Sequence, residues 1–150
     1  MSRSLNSRPK NVDLFMNKYY IAGFFDADGY ITLAKKNSNQ NPTVTVGFTN
    51  CVRPILERIQ KHLLTELSVK GTISKKTARE ENHNDSYDLK YVGLVKSIQV
   101  LSYLPITHPK KSKRLKVAIQ IKQLTSRNGK YDLKTMEKRN TLCVQFLRVE

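Results

Sequence analysis

Apolar positions follow two different periods along this 150-residue chain, and the changes of period mark its elements. Asp13 offers a helix cap ahead of Leu14, and no proline interrupts the run before Gly29. At helical spacing Leu14, Ile21, Phe24 and Phe25 turn to an interior. Gly23 and Ala27, four apart, put two small side chains on one face, where another backbone can come close. From Tyr30 the period falls to two: Ile31 and Leu33 face one way, Tyr30, Thr32, Ala34 and Lys36 the other. After a polar turn at 37–42, Val44, Val46 and Phe48 point inward and Thr43, Thr45, Gly47 and Thr49 outward. Pro54 suits the first turn of a helix running to about Glu66, with Ile55, Leu56, Ile59, Leu63 and Leu64 on its apolar side.

The alternation then resumes. Val69 to Thr77 and Tyr87 to Val92 predict a second strand pair around a solvated loop at 78–86, with Thr72, Ser74 and Lys76 set opposite Ile73. Helical spacing returns from Gly93 to Leu104, where Pro105 stops it. Another helix carries Val117, Ile119, Ile121 and Leu124, and a last one, from Asp132 to about Leu147, carries Leu133, Met136, Leu142, Val144, Phe146 and Leu147 as its apolar residues. The predicted class is α+β, an α-β-β-α-β-β-α core with further helices behind it. Its antiparallel four-stranded sheet is covered by helices on one face and polar on the other.

Composition suggests what that polar face meets. A single domain, 13–150, follows a flexible basic tail, 1–12. Lys and Arg number 27 against 12 Asp and Glu, a net charge of +15, which favours a polyanionic partner. No acidic residue lies between Asp28 and Glu57 or between Asp88 and Asp132, so those stretches are candidate anion-facing surfaces. A membrane surface is the competing polyanion, but no apolar run approaches the ~18 residues of a spanning helix and no signal peptide is evident. An intracellular, reducing compartment fits, whether organelle, prokaryotic cell or phage host. Cys51 and Cys143 form no paired motif and are expected to be core thiols; His62, His83 and His108 show no metal-ligand spacing.

Two acids carry the candidate chemistry. Asp26 and Asp28 fall at the C-terminal end of the first helix, where the last carbonyls already carry partial negative charge, so a cation is expected beside them. An ordinary polar turn closed by Gly29 remains an alternative. A calcium loop does not: counted from Asp26, positions six and twelve are Ile31 and Asn37, where glycine and glutamate are required.

Ile21-Ala-Gly-Phe-Phe-Asp-Ala-Asp-Gly29 resembles the signature of the LAGLIDADG homing endonucleases, with conservative changes at its first, fourth and fifth positions. The resemblance extends over about 13–148. It implies that the motif helix packs on its copy in a second subunit through Ala22, Gly23, Asp26 and Ala27, that the sheet forms a saddle on DNA, and that the last Asp holds a divalent metal. Asp28 is then the expected ligand, with the Ala27 carbonyl nearby, and oxygen donors favour Mg²⁺. Asp26 is better suited to the helix end or the dimer contact. The family's polar residue after the second strand falls on Asn50, shorter than the usual glutamine. Its lysine, in a loop before a later helix, falls on Lys110 or, one position on, Lys111. The expected DNA contacts are Tyr30, Thr32, Ala34, Lys36, Thr43, Thr45, Gly47, Thr49, Thr72, Ser74, Lys76, Asp88 and Lys90, joined by Lys113 and Arg114 from a stretch with six basic residues in ten, 107–116.

The activity so implied is metal-dependent double-strand cleavage by a homodimer, intron- or intein-encoded, at a partly palindromic site of about 20 base pairs, at ~10 per helical turn. Cutting across the minor groove would leave 3′ overhangs. Two competing readings use the same charge: a non-catalytic binder such as an intron RNA maturase, and a basic ribosome-associated protein, which would have no use for the acidic motif.

Overall fold

In the computed structural model, residues 15–34, 42–77, 81, 84–124 and 133–149 are described. The expectations for the tail, Asp13, Leu14, Lys36 and His83 lie outside them. The order is α1 (Lys18–Asp28), β1 (Gly29–Ala34), β2 (Thr43–Asn50), α2 (Arg53–Leu67), β3 (Thr72–Lys76), β4 (Ser86–Val92), α3 (Leu94–Tyr103), α4 (Pro109–Gln123) and α5 (Leu133–Arg148). The strands form one antiparallel sheet in the order β1-β2-β4-β3, which makes the fold α+β.

The first helix begins later than Asp13 suggests. Asn17 is its cap, with a side-chain oxygen accepting from the backbone N–H of Tyr19 at 3.0 Å and Tyr20 at 2.9 Å. Met16 before the cap and Ile21 four residues into the helix occupy the two positions of a hydrophobic staple, and both lie in the core. At the other end α1 runs straight into β1. Gly29 is extended (φ −82°, ψ 161°), not left-handed, and its need for glycine is steric, since a Cβ there would stand 2.1 Å from the Phe25 side chain.

The sheet's inner face follows the alternation. Ile31, Val44, Val46, Phe48, Leu89 and Tyr91 are buried against Leu56, Ile59 and Leu63 of α2 and Val100 and Leu101 of α3. At about 1.5–3 kcal/mol for each large apolar side chain removed from water, this layer is the main source of stability. Phe25 closes it from α1, its ring edge-on to Phe48 with centroids 5.5 Å apart. Ser97, buried on α3, shares its hydroxyl between the carbonyls of Val44 (2.9 Å) and Tyr91 (3.1 Å) and so pins that helix to two strands.

Several expectations need correction. Leu64 is exposed, because α2 turns only Leu56, Ile59 and Leu63 fully inward. On α5, Leu133, Val144 and Leu147 are exposed, while Arg139, Cys143 and Phe146 are buried. Cys51 is exposed in the bend after β2; Cys143 alone is a core thiol. The basic stretch from Pro109 is no loop but the first two turns of α4, with Pro109 in the first turn, where a missing N–H is harmless. Arg114 there does not face outward. Its guanidinium donates to the Ile31 carbonyl at 2.9 Å and lies over the Phe146 ring at 5.3 Å, tying α4 to β1 and α5. No helix among the described residues is long and apolar enough to cross a membrane.

Candidate catalytic corner and nucleic-acid interface

Where α1 ends, α4 begins, and each supplies what the other's terminus lacks. The last carbonyls of a helix and its first N–H groups have no intrahelical partners. Lys111, in the first turn of α4, donates Nζ–H to the carbonyls of Phe25 and of Asp26, the latter at 2.9 Å. In return the Asp26 carboxylate accepts from the Thr107 hydroxyl at 2.6 Å and from the backbone N–H of Thr107 and of His108, each at 3.2 Å. Burial raises the Asp26 pKa, but the Thr107 bonds, the His108 N–H and the charge of Lys111 outweigh it and hold the carboxyl below its ordinary value. For Lys111 burial prevails: it lowers the ammonium pKa against the opposing pull of Asp26 and Asp28.

Asp26 is therefore a cap within its own chain, with both carboxylate oxygens engaged, and not a residue of the free helix face. Asp28, two residues on, is exposed and carries no hydrogen bond or ion pair among the described residues. Lys110, beside Lys111, likewise has no polar partner there. Asn50 is less free than its assignment needed, since its side-chain oxygen accepts from the Val52 N–H at 2.8 Å. Among the described residues no group of three or more His, Cys, Asp and Glu stands ready to hold a metal.

The exposed face of α1 carries Tyr19, 69% exposed, with Gly23 and Ala27 following at four-residue spacing. Among the described residues outside its own helix, a Cβ built on Gly23 meets nothing within 4 Å. Ala22 does not belong to this face; at 3% exposure it is spent on the chain's own core.

The outer sheet face presents Thr32, Ala34, Thr43, Thr45, Thr72, Ser74, Lys76 and Lys90 at least partly exposed. Register groups them in rows across the strands: Thr32, Thr45 and Val92; Tyr30, Gly47, Lys90 and Thr72; Thr49, Asp88 and Ser74. Two expected contacts are absent from its surface. Gly47 is buried beneath the Tyr30 ring, where a Cβ would approach the ring carbon Cζ to 2.0 Å, so its smallness serves a neighbouring strand. Asp88 is 0% exposed, covered by the side chains that bond to it: Thr49 by its hydroxyl, Tyr30 at 3.3 Å, and Lys76 at 2.7 Å. Lys113 is exposed but lines a cleft with Val144, Gln145 and Arg148 of α5. Val92, 55% exposed at the edge of the polar face, was legible in the continued alternation of Asp88, Lys90 and Val92.

This arrangement matches a known one. A family model described as the LAGLIDADG-like domain covers residues 16–107, more than half of the chain. The chain belongs to the LAGLIDADG family. Among solved LAGLIDADG structures it is similar to the homing endonuclease I-CvuI in complex with its target, with a TM-score of 0.63 and 21% identity over 87% of this chain and 80% of that one. The LAGLIDADG meganuclease I-AabMI bound to uncleaved DNA matches at a TM-score of 0.61 and 16% identity, over 85% of this chain and 44% of that one. The homing endonuclease I-GzeII in complex with a DNA target gives 0.62 and 15%, over 87% and 43%. In sequence the chain is also 27% identical over 129 residues to the ATP-dependent DNA helicase Hel308 of Methanocaldococcus jannaschii. That match takes in 77% of this chain and spans only 10% of the helicase's length.

Proposed function

We propose that this LAGLIDADG chain is a site-specific DNA endonuclease that acts as a homodimer and needs a divalent metal, Mg²⁺ by preference. The observation that carries the reading is Asp28: an exposed carboxylate free of hydrogen bonds and ion pairs among the described residues, at the end of a helix whose small-residue face is uncovered, beside a polar sheet face in a chain of net charge +15. Two copies joined along Tyr19, Gly23 and Ala27 would set two such carboxylates at one axis, one for each strand of a duplex. The coverage of relatives agrees: this chain spans 80% of I-CvuI but under half of I-AabMI and I-GzeII, as expected if one-motif chains pair where longer ones hold two halves.

The donors fit a hard cation. Asp26 is consumed by Thr107 and His108, leaving Asp28 and the Ala27 carbonyl, both oxygen, to hold it. Bound there, Mg²⁺ would acidify a water and offset charge on the scissile phosphate. The chain's own residues do the rest. Lys111 holds the helix end rigid and places an ammonium beside the same corner, where it compensates the charge developing on phosphorus oxygens. Lys110 and the sheet lysines attract the backbone of the duplex, and the hydroxyls of Thr32, Thr45, Thr72 and Ser74 reach base edges. An intracellular, reducing setting suits the exposed thiol of Cys51.

Incubating a plasmid library of random inserts with the chain and Mg²⁺ tests this. A double-strand break at one set of near-palindromic sites, absent with Asp28→Asn, is expected. Binding without cutting by both proteins would leave a binding protein in its place.

A further inference from the structure

At the centre of the outer sheet face is a concavity of about 460 Å³ formed by Tyr30, Thr32, Thr45, Lys76, Lys90 and Val92 around the buried carboxylate of Asp88. An ionised carboxylate only accepts hydrogen bonds, so every group that bonds to Asp88 must spend a hydrogen on it. Tyr30 gives its single hydroxyl hydrogen to Oδ2 at 3.3 Å, and Thr49 gives its own to Oδ1. Lys76 donates to Oδ2 at 2.7 Å, and the Lys90 ammonium stands 3.9 Å from the same oxygen. A hydroxyl has no second hydrogen, whereas an ammonium has three. Tyr30 and Thr49 are left as acceptors towards anything lying on the sheet; Lys76 and Lys90 remain donors.

Protonation keeps this polarity in place. Burial works to raise the Asp88 pKa, but the bond and charge of Lys76 and the hydroxyls of Thr49 and Tyr30 prevail and hold it below the ordinary carboxylate value. The Tyr30 phenol is pushed up to about 12 by burial and by the charge of Asp88 and its hydrogen bond, so at neutral pH it keeps the hydrogen it donates.

We propose that Asp88 is a specificity-determining residue that touches no DNA: by drawing the hydroxyl hydrogens of Tyr30 and Thr49 down to the sheet, it makes those two positions, Tyr30 in the wall of the concavity and Thr49 beside it, read bases that offer a hydrogen, while the Thr32 and Thr45 hydroxyls in the same wall stay free to donate or accept. In the major groove those bases are adenine, through N6, and cytosine, through N4. Guanine O6 and N7 and thymine O4 only accept, and they suit the lysines on the β3–β4 side. Val92, an apolar side chain at the end of the same concavity, fits the thymine methyl group. The inference rests on the reading of this face as a duplex-binding surface.

Selection of bound duplexes by the full chain, from a library randomised over about two helical turns, tests it. Wild type should prefer adenine or cytosine at one position of each half-site by about tenfold, the effect of leaving one donor unmet in the complex. Tyr30→Phe should lose that preference at that position alone. Asp88→Asn, whose amide can donate to the same oxygens and turn a hydroxyl hydrogen outward, should lose or invert it while other positions and the melting temperature hold. The inference is overturned if Asp88→Asn keeps the preference, or binds every sequence equally more weakly, as a merely structural carboxylate would. Should Asp88→Asn not fold, unchanged preferences in both Tyr30→Phe and Thr49→Ala overturn it. Wild type enriching no sequence at all would instead defeat the DNA reading beneath it.

Discussion

Asp26→Ala removes the α1–α4 cap and tests whether that carboxylate is structural. It deletes the bonds from the Thr107 hydroxyl (2.6 Å) and from the N–H groups of Thr107 and His108 (both 3.2 Å), leaving the start of α4 without its acceptor. Loss of a side-chain cap costs about 0.5–2 kcal/mol. Hydrogen bonds to a charged group lie near the upper end, but Thr107 is exposed and water can reach its freed donors, so the expectation is about 1–2 kcal/mol. For a domain of this size that lowers the melting temperature by about 3–8 °C. Urea and thermal denaturation at one fixed protein concentration would measure it, since self-association adds to apparent stability.

The effect should depend on pH with a definite sign. The folded-state carboxyl of Asp26 lies below its ordinary value, so its contribution is present above the unfolded pKa of about 3.9 and is lost as pH falls through the folded value. The difference between wild type and Asp26→Ala should be full at about pH 6 and shrink in acid. A difference under about 0.5 kcal/mol, the spread of ordinary surface substitutions, or one that does not change in acid, would refute the cap.

Two further outcomes follow from the same geometry. Gly23→Leu should turn the proposed dimer into a monomer by sedimentation while leaving the chain's own fold no less stable, because no described residue outside its own helix lies within 4 Å of a Cβ at Gly23 and glycine inside a helix is about 1 kcal/mol worse than a good helix former; a dimer that persists would place the contact elsewhere. Lys111→Met should lower stability by about 1 kcal/mol, through lost capping of α1, and slow cleavage at saturating DNA, whereas Lys110→Met should spare both and reduce the salt slope of binding by about one; the reverse assignment would show that Lys110 is the active-site lysine.

The sheet was legible in the sequence because one of its faces is dry. With period two and a buried side, Val44, Val46 and Phe48 could face only one way, and the register followed. What stayed hidden were relations between positions distant in the chain. Gly47 alternates with the outward residues, yet its smallness answers a tyrosine ring on the neighbouring strand. Asp88 does point to the polar face, but four side chains from the strands gather over it and take it out of water. Asp13 and Asn17 are equally good caps by chemistry, and the staple pair of Met16 and Ile21 distinguishes the second. The stretch from Pro109 resembled a loop because its lysines mask a helical period; its helix is capped by Asp26, 81 residues earlier than Thr107. The motif itself carried Asp28 and Ala27 to a helix end, and that much needed no tertiary knowledge.

On the proposed reading Asp28 is required for cutting and not for recognition. This requirement is tested most directly on a supercoiled plasmid bearing one selected site, comparing wild type with Asp28→Asn for gel-shift affinity and for conversion to linear DNA, in Mg²⁺ and in chelator. Both proteins should bind the site, wild type should linearise the plasmid only when Mg²⁺ is present, and Asp28→Asn should leave it supercoiled. Linearisation by Asp28→Asn at the wild-type rate, or by wild type in chelator, would contradict that reading.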